Sequence, residues 1–203
     1  MAEPYLTRRL NNMPDGIVGV FGDSILQATH ETLISPFAVN FALGGQSLRR
    51  LHNSLLTDFP FMQSAGAGVI MCGVNDLSNT TYYGPRNATT PDAAAGTVLL
   101  IYGFLKAYLT GKWVICHLLP CNESVTGATG YNAQVAHVNA NIQAAMAGSA
   151  ASIQFVPVNP EFVDSNGQLK AAYHIGDGQH LNKAGSALLA AGIHQALVNL
   201  GIQ

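Results

Sequence analysis

A serine, a histidine and an aspartate stand at positions in this sequence that permit acyl-transfer chemistry. Ser24 comes two residues after the apolar run 17–22, and His180 lies three residues after Asp177. A serine hydroxyl is a weak nucleophile until a base removes its proton, and a neutral imidazole can do this near pH 7. Ser24 is therefore the candidate nucleophile, His180 the candidate base, and Asp177 the carboxylate that orients the imidazole.

Three hydrogen-bond donors could complete such a site by binding the oxyanion of a tetrahedral intermediate. They are the N–H of Ser24, the N–H of Gly45 and the side-chain amide of Asn75. Taken singly, each of these residues is typical of an ordinary turn or helix cap, and so is the dipeptide Asp177-Gly178. Their occurrence together favours a single catalytic site over a set of unrelated turns.

The elements that must position these residues are short apolar strands alternating with helices. Apolar runs predict five strands, at 17–22, 36–43, 68–72, 113–119 and 152–158. This alternation predicts an α/β fold with three layers, in which a flavodoxin-like, five-stranded parallel sheet carries helices on both faces. Because parallel strands end at one edge of the sheet, the candidate residues would meet there.

Helical spacing of apolar residues predicts the connecting helices. One helix begins near Ser24, a second is capped by Ser47, and the others follow the third, fourth and fifth strands. Long polar loops are predicted at about 77–93 and 159–180. A loop of such length in a compact domain is usually functional or disordered.

The composition limits the partners. Charged residues are 10% of the 203 residues, the formal net charge is −2, and Arg8-Arg9 and Arg49-Arg50 are isolated basic pairs. The sequence therefore disfavours binding to nucleic acid or to an anionic membrane. We expect one domain over 1–203, with residues 1–15 as a polar lead-in.

No apolar run approaches the roughly 18 residues needed to cross a membrane. The N-terminal residues do not form a secretory signal. These features predict a soluble protein, cytoplasmic or secreted after removal of a signal. The three cysteines form no CxxC pair, so reduced thiols are expected; a disulfide between Cys116 and Cys121 remains the alternative.

Four segments of the chain resemble the sequence blocks of the SGNH (GDSL-type) hydrolases, and they occur in the family's order. They are Gly22-Asp23-Ser24, Gly45 within 40–45, Gly73-Val74-Asn75-Asp76, and Asp177-Gly178-Gln179-His180. The resemblance extends from about residue 17 to the C-terminus. It departs from the family's pattern after Ser24, where Ile25-Leu26 replaces the usual Leu-Ser. No G-x-S-x-G elbow surrounds Ser24, which argues against an ordinary α/β-hydrolase.

The resemblance implies a serine esterase that hydrolyses carboxylic esters without a metal or another cofactor. Short acyl esters, such as acetyl esters, of a carbohydrate or a small alcohol are the expected substrates, because the loops 77–95 and 120–129 are rich in small and polar residues. Further candidates for contact with the substrate are Asp23, Asp76, Tyr82, Tyr83 and His174.

Two other functions remain open from the sequence. In the first, His174, Asp177 and His180 bind a metal ion in a metal-dependent hydrolase. In the second, the domain binds carbohydrate without catalysis, and Tyr82 and Tyr83 stack on sugar rings.

Overall fold

The computed structural model describes residues 17–58, 65–77, 90–108, 112–147 and 153–202. The predicted lead-in 1–15 lies outside these ranges, as do Tyr82 and Tyr83.

The described residues contain a five-stranded parallel sheet, which confirms the predicted fold class. Its strands are β1 (Ile17–Gly22), β2 (Ala38–Asn40), β3 (Ala65–Met71), β4 (Lys112–Cys116) and β5 (Ile153–Val156). They lie in the order β2-β1-β3-β4-β5, and every neighbouring pair is parallel. This is the flavodoxin-like order, in which the first strand lies inside the sheet.

Helices alternate with the strands along the chain. They are α1 (Ser24–Ala28), α2 (Glu31–Ile34), α3 (Leu48–Asp58), α4 (Val74–Leu77), α5 (Pro91–Tyr108), α6 (Glu123–Thr126), α7 (Tyr131–Met146) and α8 (Lys183–Asn199). Two 3-10 turns, Pro160–Phe162 and Ala171–Tyr173, interrupt the long loop before α8. No helix among the described residues has both the length and the hydropathy needed to span a bilayer.

The single helix predicted after Ser24 is in fact two short helices. The break falls at Thr29, which has extended backbone angles and donates its N–H to the Leu26 carbonyl. The Thr29 hydroxyl donates to the Ile25 carbonyl. Side-chain bonds of this kind compete with the helical ladder, so α1 ends after five residues.

Three strands are shorter than predicted: β2, β4 and β5 cover three, five and four residues, against the predicted 36–43, 113–119 and 152–158. At the ends of two of them, side chains bind the neighbouring backbone. β4 ends at Cys116, and the Asn139 amide of α7 then accepts from the Leu118 N–H at 2.8 Å and donates to the Leu118 carbonyl at 3.0 Å. β2 ends at Asn40, whose side-chain oxygen accepts the Ala42 N–H.

The core is densest around β1, which is buried on both faces along all six residues. Phe21 and Trp113 are fully buried, with ring centroids 6.5 Å apart. The Tyr102 ring meets the Trp113 ring edge-on at 6.0 Å. The three cysteines are free and buried, so the Cys116–Cys121 disulfide does not form.

Gly68 in β3 faces the Trp113 ring and leaves no room for a side chain. A Cβ at Gly68 would lie 2.0 Å from a Trp113 ring carbon. We expect Gly68→Ala to lower the free energy of unfolding in urea by about 1–3 kcal/mol, because overpacking forces the ring or the strand to shift.

Gly96→Ala is the matched control, because nothing lies within 4 Å of a Cβ at that helical position. It should raise the stability by up to about 1 kcal/mol, since alanine is a better helix former. Equal midpoints for the two variants would contradict the packing described here.

Candidate active site

Ser24, His180 and Asp177 form a continuous hydrogen-bonded chain. The Ser24 Oγ lies 2.9 Å from the His180 Nε2, and the His180 Nδ1 lies 2.6 Å from the Asp177 Oδ2. The side chains of His180 and Asp177 are each 39% exposed, so the imidazole is open to solvent. The arrangement has the geometry of a nucleophile, a base and an orienting carboxylate.

Ser24 is held at the sheet edge by the buried strand that precedes it. β1 ends at Gly22, where a Cβ would lie 2.2 Å from the Met71 carbonyl oxygen, so only glycine fits. Asp23 then caps α1, because its Oδ1 accepts the Ile25 N–H at 3.1 Å. Ser24 is thus the first helical residue after a strand that cannot shift.

A tight turn holds Asp177 and His180. The Asp177 Oδ1 accepts the N–H groups of Gln179 and His180, each at 2.9 Å, which leaves Oδ2 for the imidazole. Partial burial raises the pKa of Asp177, but the hydrogen bonds from Gln179 and His180 outweigh it, so the pKa lies below its usual value. The carboxylate is therefore held charged beside the imidazole.

His174 supports the same turn from beneath. Its Nδ1 accepts the N–H groups of Gly176 at 2.9 Å and Gly178 at 3.2 Å, so the ring proton lies on Nε2. His174 also forms an antiparallel bridge with Leu181. This histidine is 7% exposed and holds the turn; it does not face the open site as expected for a substrate contact.

The two other expected oxyanion donors lie next to each other. Gly45 has a φ of 70°, which glycine adopts without strain, and the Gln46 N–H closes the turn on the Leu43 carbonyl. The Asn75 Nδ2 donates to the Gln46 carbonyl at 2.9 Å. Because a Cβ on Gly44 would lie 4.0 Å from the Ser24 Cβ, this turn borders the nucleophile.

Asp23 and Asp76, predicted as possible substrate contacts, are buried instead. Asp76 is 6% exposed, and its Oδ2 accepts the Leu48 N–H at 2.9 Å at the start of α3. Asp23 is fully buried, and its Oδ2 has no partner among the described residues. Both carboxyls serve the backbone around the site. The expectation for Tyr82 and Tyr83 concerns residues outside the described ranges.

Burial raises the pKa of Asp23 to about 7, against the opposing effects of the Ile25 N–H and of His180. The pKa of Asp76 is raised for the same reason, with opposition from the Leu48 N–H and Arg49. Burial and the two nearby carboxyls keep the pKa of Cys72 well above its usual value. Burial therefore shifts all three of these side chains toward their neutral forms.

The segment 122–126 belongs to the loop 120–129, which sequence reasoning connected with the substrate, but its contact with the turn 177–180 was not predicted. The Asn122 N–H donates to the Gly178 carbonyl at 2.7 Å, and the Cβ position of Gly178 lies 2.9 Å from the Val125 Cβ. This segment packs against the turn that carries His180. The dipeptide Asp177-Gly178 signalled a turn, but nothing in the local sequence signalled its distant partner.

The metal-binding alternative is not supported by these contacts. Two backbone N–H groups occupy the Nδ1 of His174, and Asp177 and Ser24 occupy the two nitrogens of His180. No three His, Cys, Asp or Glu side chains in the described part of the chain are grouped as metal ligands.

Comparison with known proteins identifies the class of fold. No family model matches the chain, and no curated protein sequence matches it. Solved structures do match. A provisionally assigned acylhydrolase from Bacteroides fragilis has 22% identity over 98% of this chain and 96% of that chain, with a TM-score of 0.78.

Two further structures are similar to this chain. A GDSL-like lipase from Bacteroides thetaiotaomicron has 20% identity over 97% of both chains, with a TM-score of 0.76. An acetyl xylan esterase has 17% identity over 89% of this chain and 100% of that chain, with a TM-score of 0.70. The chain therefore has the fold of the GDSL-type lipases and acylhydrolases.

The raised pKa of Asp23 predicts an unusual pH dependence of stability. Between its ordinary value of 3.8 and about 7, the folded state keeps a proton that the unfolded chain has lost. The contribution of Asp23 to the free energy of unfolding therefore falls as pH rises through this interval, by about 1.4 kcal/mol for each pKa unit. Asp23→Asn removes the titration and keeps an oxygen for the Ile25 N–H.

We expect Asp23→Asn to gain about 2–4 kcal/mol over the wild type in urea unfolding between pH 4 and pH 8. Asp164→Asn is the matched control, because Asp164 also accepts backbone N–H groups but lies in an exposed turn. A stability difference that does not change with pH would show that Asp23 ionises at its ordinary pKa.

Proposed function

We propose that the chain is a single catalytic domain that hydrolyses carboxylic esters through an acyl-enzyme on Ser24. The observation that carries this proposal is the chain of hydrogen bonds from the Ser24 Oγ through His180 to Asp177, at 2.9 and 2.6 Å. Carbohydrate binding without catalysis needs no such relay. The similar GDSL-type folds also support ester hydrolysis.

In the first half of the reaction, the Ser24 Oγ attacks the ester carbonyl carbon and the His180 Nε2 takes the hydroxyl proton. The tetrahedral intermediate then expels the alcohol, which takes that proton from His180. The negative charge of Asp177 stabilises the imidazolium between these two transfers and fixes the ring proton on Nδ1. Hydrogen bonds from Gln179 and His180 keep this carboxylate ionised.

The oxyanion is held by the N–H groups of Ser24 and Gly45 and by the Asn75 amide. An amide nitrogen carries two hydrogens, so the bond to the Gln46 carbonyl orients Asn75 and leaves the second hydrogen for substrate. Donors fixed in advance stabilise the developing charge without reorganising during the reaction.

In the second half, His180 takes a proton from water, which attacks the acyl carbon. The Ser24 oxygen then leaves with that proton, and the carboxylic acid departs. No step requires a group outside these residues and water.

Short acyl groups, acetyl foremost, on a carbohydrate or a small alcohol are the proposed substrates. The small and polar residues of 120–129 support this size range, as does the similarity in fold to an acetyl xylan esterase.

Substitution of the nucleophile and of the orienting carboxylate tests the proposal with p-nitrophenyl acetate. Ser24→Ala should lower kcat by about 10⁶-fold and leave only the residual rate that the oxyanion donors and binding supply. Asp177→Asn should lower kcat by about 10⁴-fold, because the neutral amide neither stabilises the imidazolium nor fixes its tautomer. Ser165→Ala, in the exposed turn 164–167, is the control and should retain full activity. Normal turnover by Ser24→Ala would exclude Ser24 as the nucleophile.

Asn75→Ala tests the oxyanion site separately. Loss of one oxyanion donor costs about 10²–10³-fold in kcat, and KM should change little, because the donor acts mainly in the transition state. Asn141→Ala, at a partly exposed helical position whose side chain bonds Asp92, is the control. An effect on KM alone would instead place Asn75 in ground-state binding.

A further inference from the structure

An exposed isoleucine lies directly opposite the proposed base. The Ile175 N–H donates to the His180 carbonyl at 2.9 Å, next to the antiparallel bridge between His174 and Leu181. Residues that face each other in such a pair point their side chains to the same side, and the next pair points to the other. His174 and Leu181 are buried, whereas Ile175 is 66% exposed and the His180 side chain is 39% exposed. From this alternation we place the Ile175 side chain on the same side as the His180 imidazole.

Two more exposed apolar residues lie on the segments that build the site. Val125 is 50% exposed, and its Cβ contacts Gly178 within the turn that carries Asp177 and His180. Leu43 is 51% exposed, and its N–H donates to the Gly22 carbonyl at 3.0 Å, just before the Gly44 turn that borders Ser24. Single exposed apolar side chains are common on protein surfaces, but neighbouring ones at a functional site mark a binding surface.

The position of Ile175 and Val125 determines which part of an ester they meet. The alcohol must leave beside the His180 Nε2, because that nitrogen delivers its proton. The acyl group stays on Ser24 during this step. Side chains that flank His180 on its exposed face therefore border the departing alcohol.

We infer that Ile175 and Val125 form an apolar surface that selects esters whose alcohol part is apolar, such as an aryl or alkyl alcohol, over esters of sugars. This inference rests on the proposed function and chooses between the two alcohol classes left open there. A sugar hydroxyl that displaced water from Ile175 and Val125 would find no hydrogen-bond partner in their side chains, whereas an apolar group would gain buried area.

Three acetate esters test the inference: benzyl acetate, methyl 6-O-acetylglucopyranoside and methyl acetate. The first two are esters of primary alcohols, and methyl acetate has the smallest alcohol part. The wild type should show a higher kcat/KM on benzyl acetate than on the sugar acetate. Ile175→Ser should lower the ratio of kcat/KM for benzyl acetate to that for methyl acetate about tenfold, mainly through KM, because contact between the aromatic ring and Ile175 is lost. Val125→Ser should lower the same ratio and decides the test if Ile175→Ser does not fold.

Leu100→Ser is the matched control, because Leu100 on α5 has the same exposure as Ile175, 66%. It should leave the ratio unchanged. If none of the acetates is hydrolysed, the proposed function fails and this inference fails with it. If methyl acetate is hydrolysed but the sugar acetate is preferred, or the ratio is unchanged in both serine variants, the inference alone is overturned. A change in molecular mass on gel filtration with an unchanged ratio would assign the surface to a second copy of the chain, which also overturns it.

Discussion

The site depends on one hydrogen bond, between the Ser24 Oγ and the His180 Nε2, which joins positions 156 residues apart. A bond of 2.9 Å between side chains tolerates little movement of either backbone. The strand β1, buried on both faces, fixes the serine, and contacts from His174 and the segment 122–126 fix the turn that bears the histidine. The other described elements hold these two segments in the relative positions that the hydrogen bond requires.

The sequence was sufficient to predict the architecture because the strands are apolar on both faces. Such runs occur where a parallel sheet is covered by helices on each side, and the structure has this sheet in the flavodoxin-like order. The boundaries were less predictable where distant side chains intervene. Just after β4, the Asn139 side chain binds the backbone N–H and carbonyl of Leu118. No local sequence pattern near Leu118 indicates this contact.

The same distinction holds in the site. Ser24, Asp177 and His180 could be grouped as candidates because a strand end and a spacing of three residues are local signals, and the structure brings their side chains within hydrogen-bond distance. Asp23, Asp76 and His174, which were expected as possible substrate contacts, are buried and bind backbone N–H groups. This could not be predicted, because residue type alone does not reveal whether a carboxyl or an imidazole binds the backbone or faces solvent. Gln46 was overlooked as a residue with a role in the site because it acts through its main-chain carbonyl, which every residue type has.

The long separation between Ser24 and His180 also affects the biosynthesis of the protein. A growing polypeptide exposes its serine well before its histidine exists, and domains form from the amino-terminal side as they are made. The early strands can assemble around a hydroxyl that has no proton acceptor. Under the proposed function, the nascent chain cannot hydrolyse esters until the turn at 174–181 docks against Ser24, so activity begins only after the C-terminal part of the domain has been made.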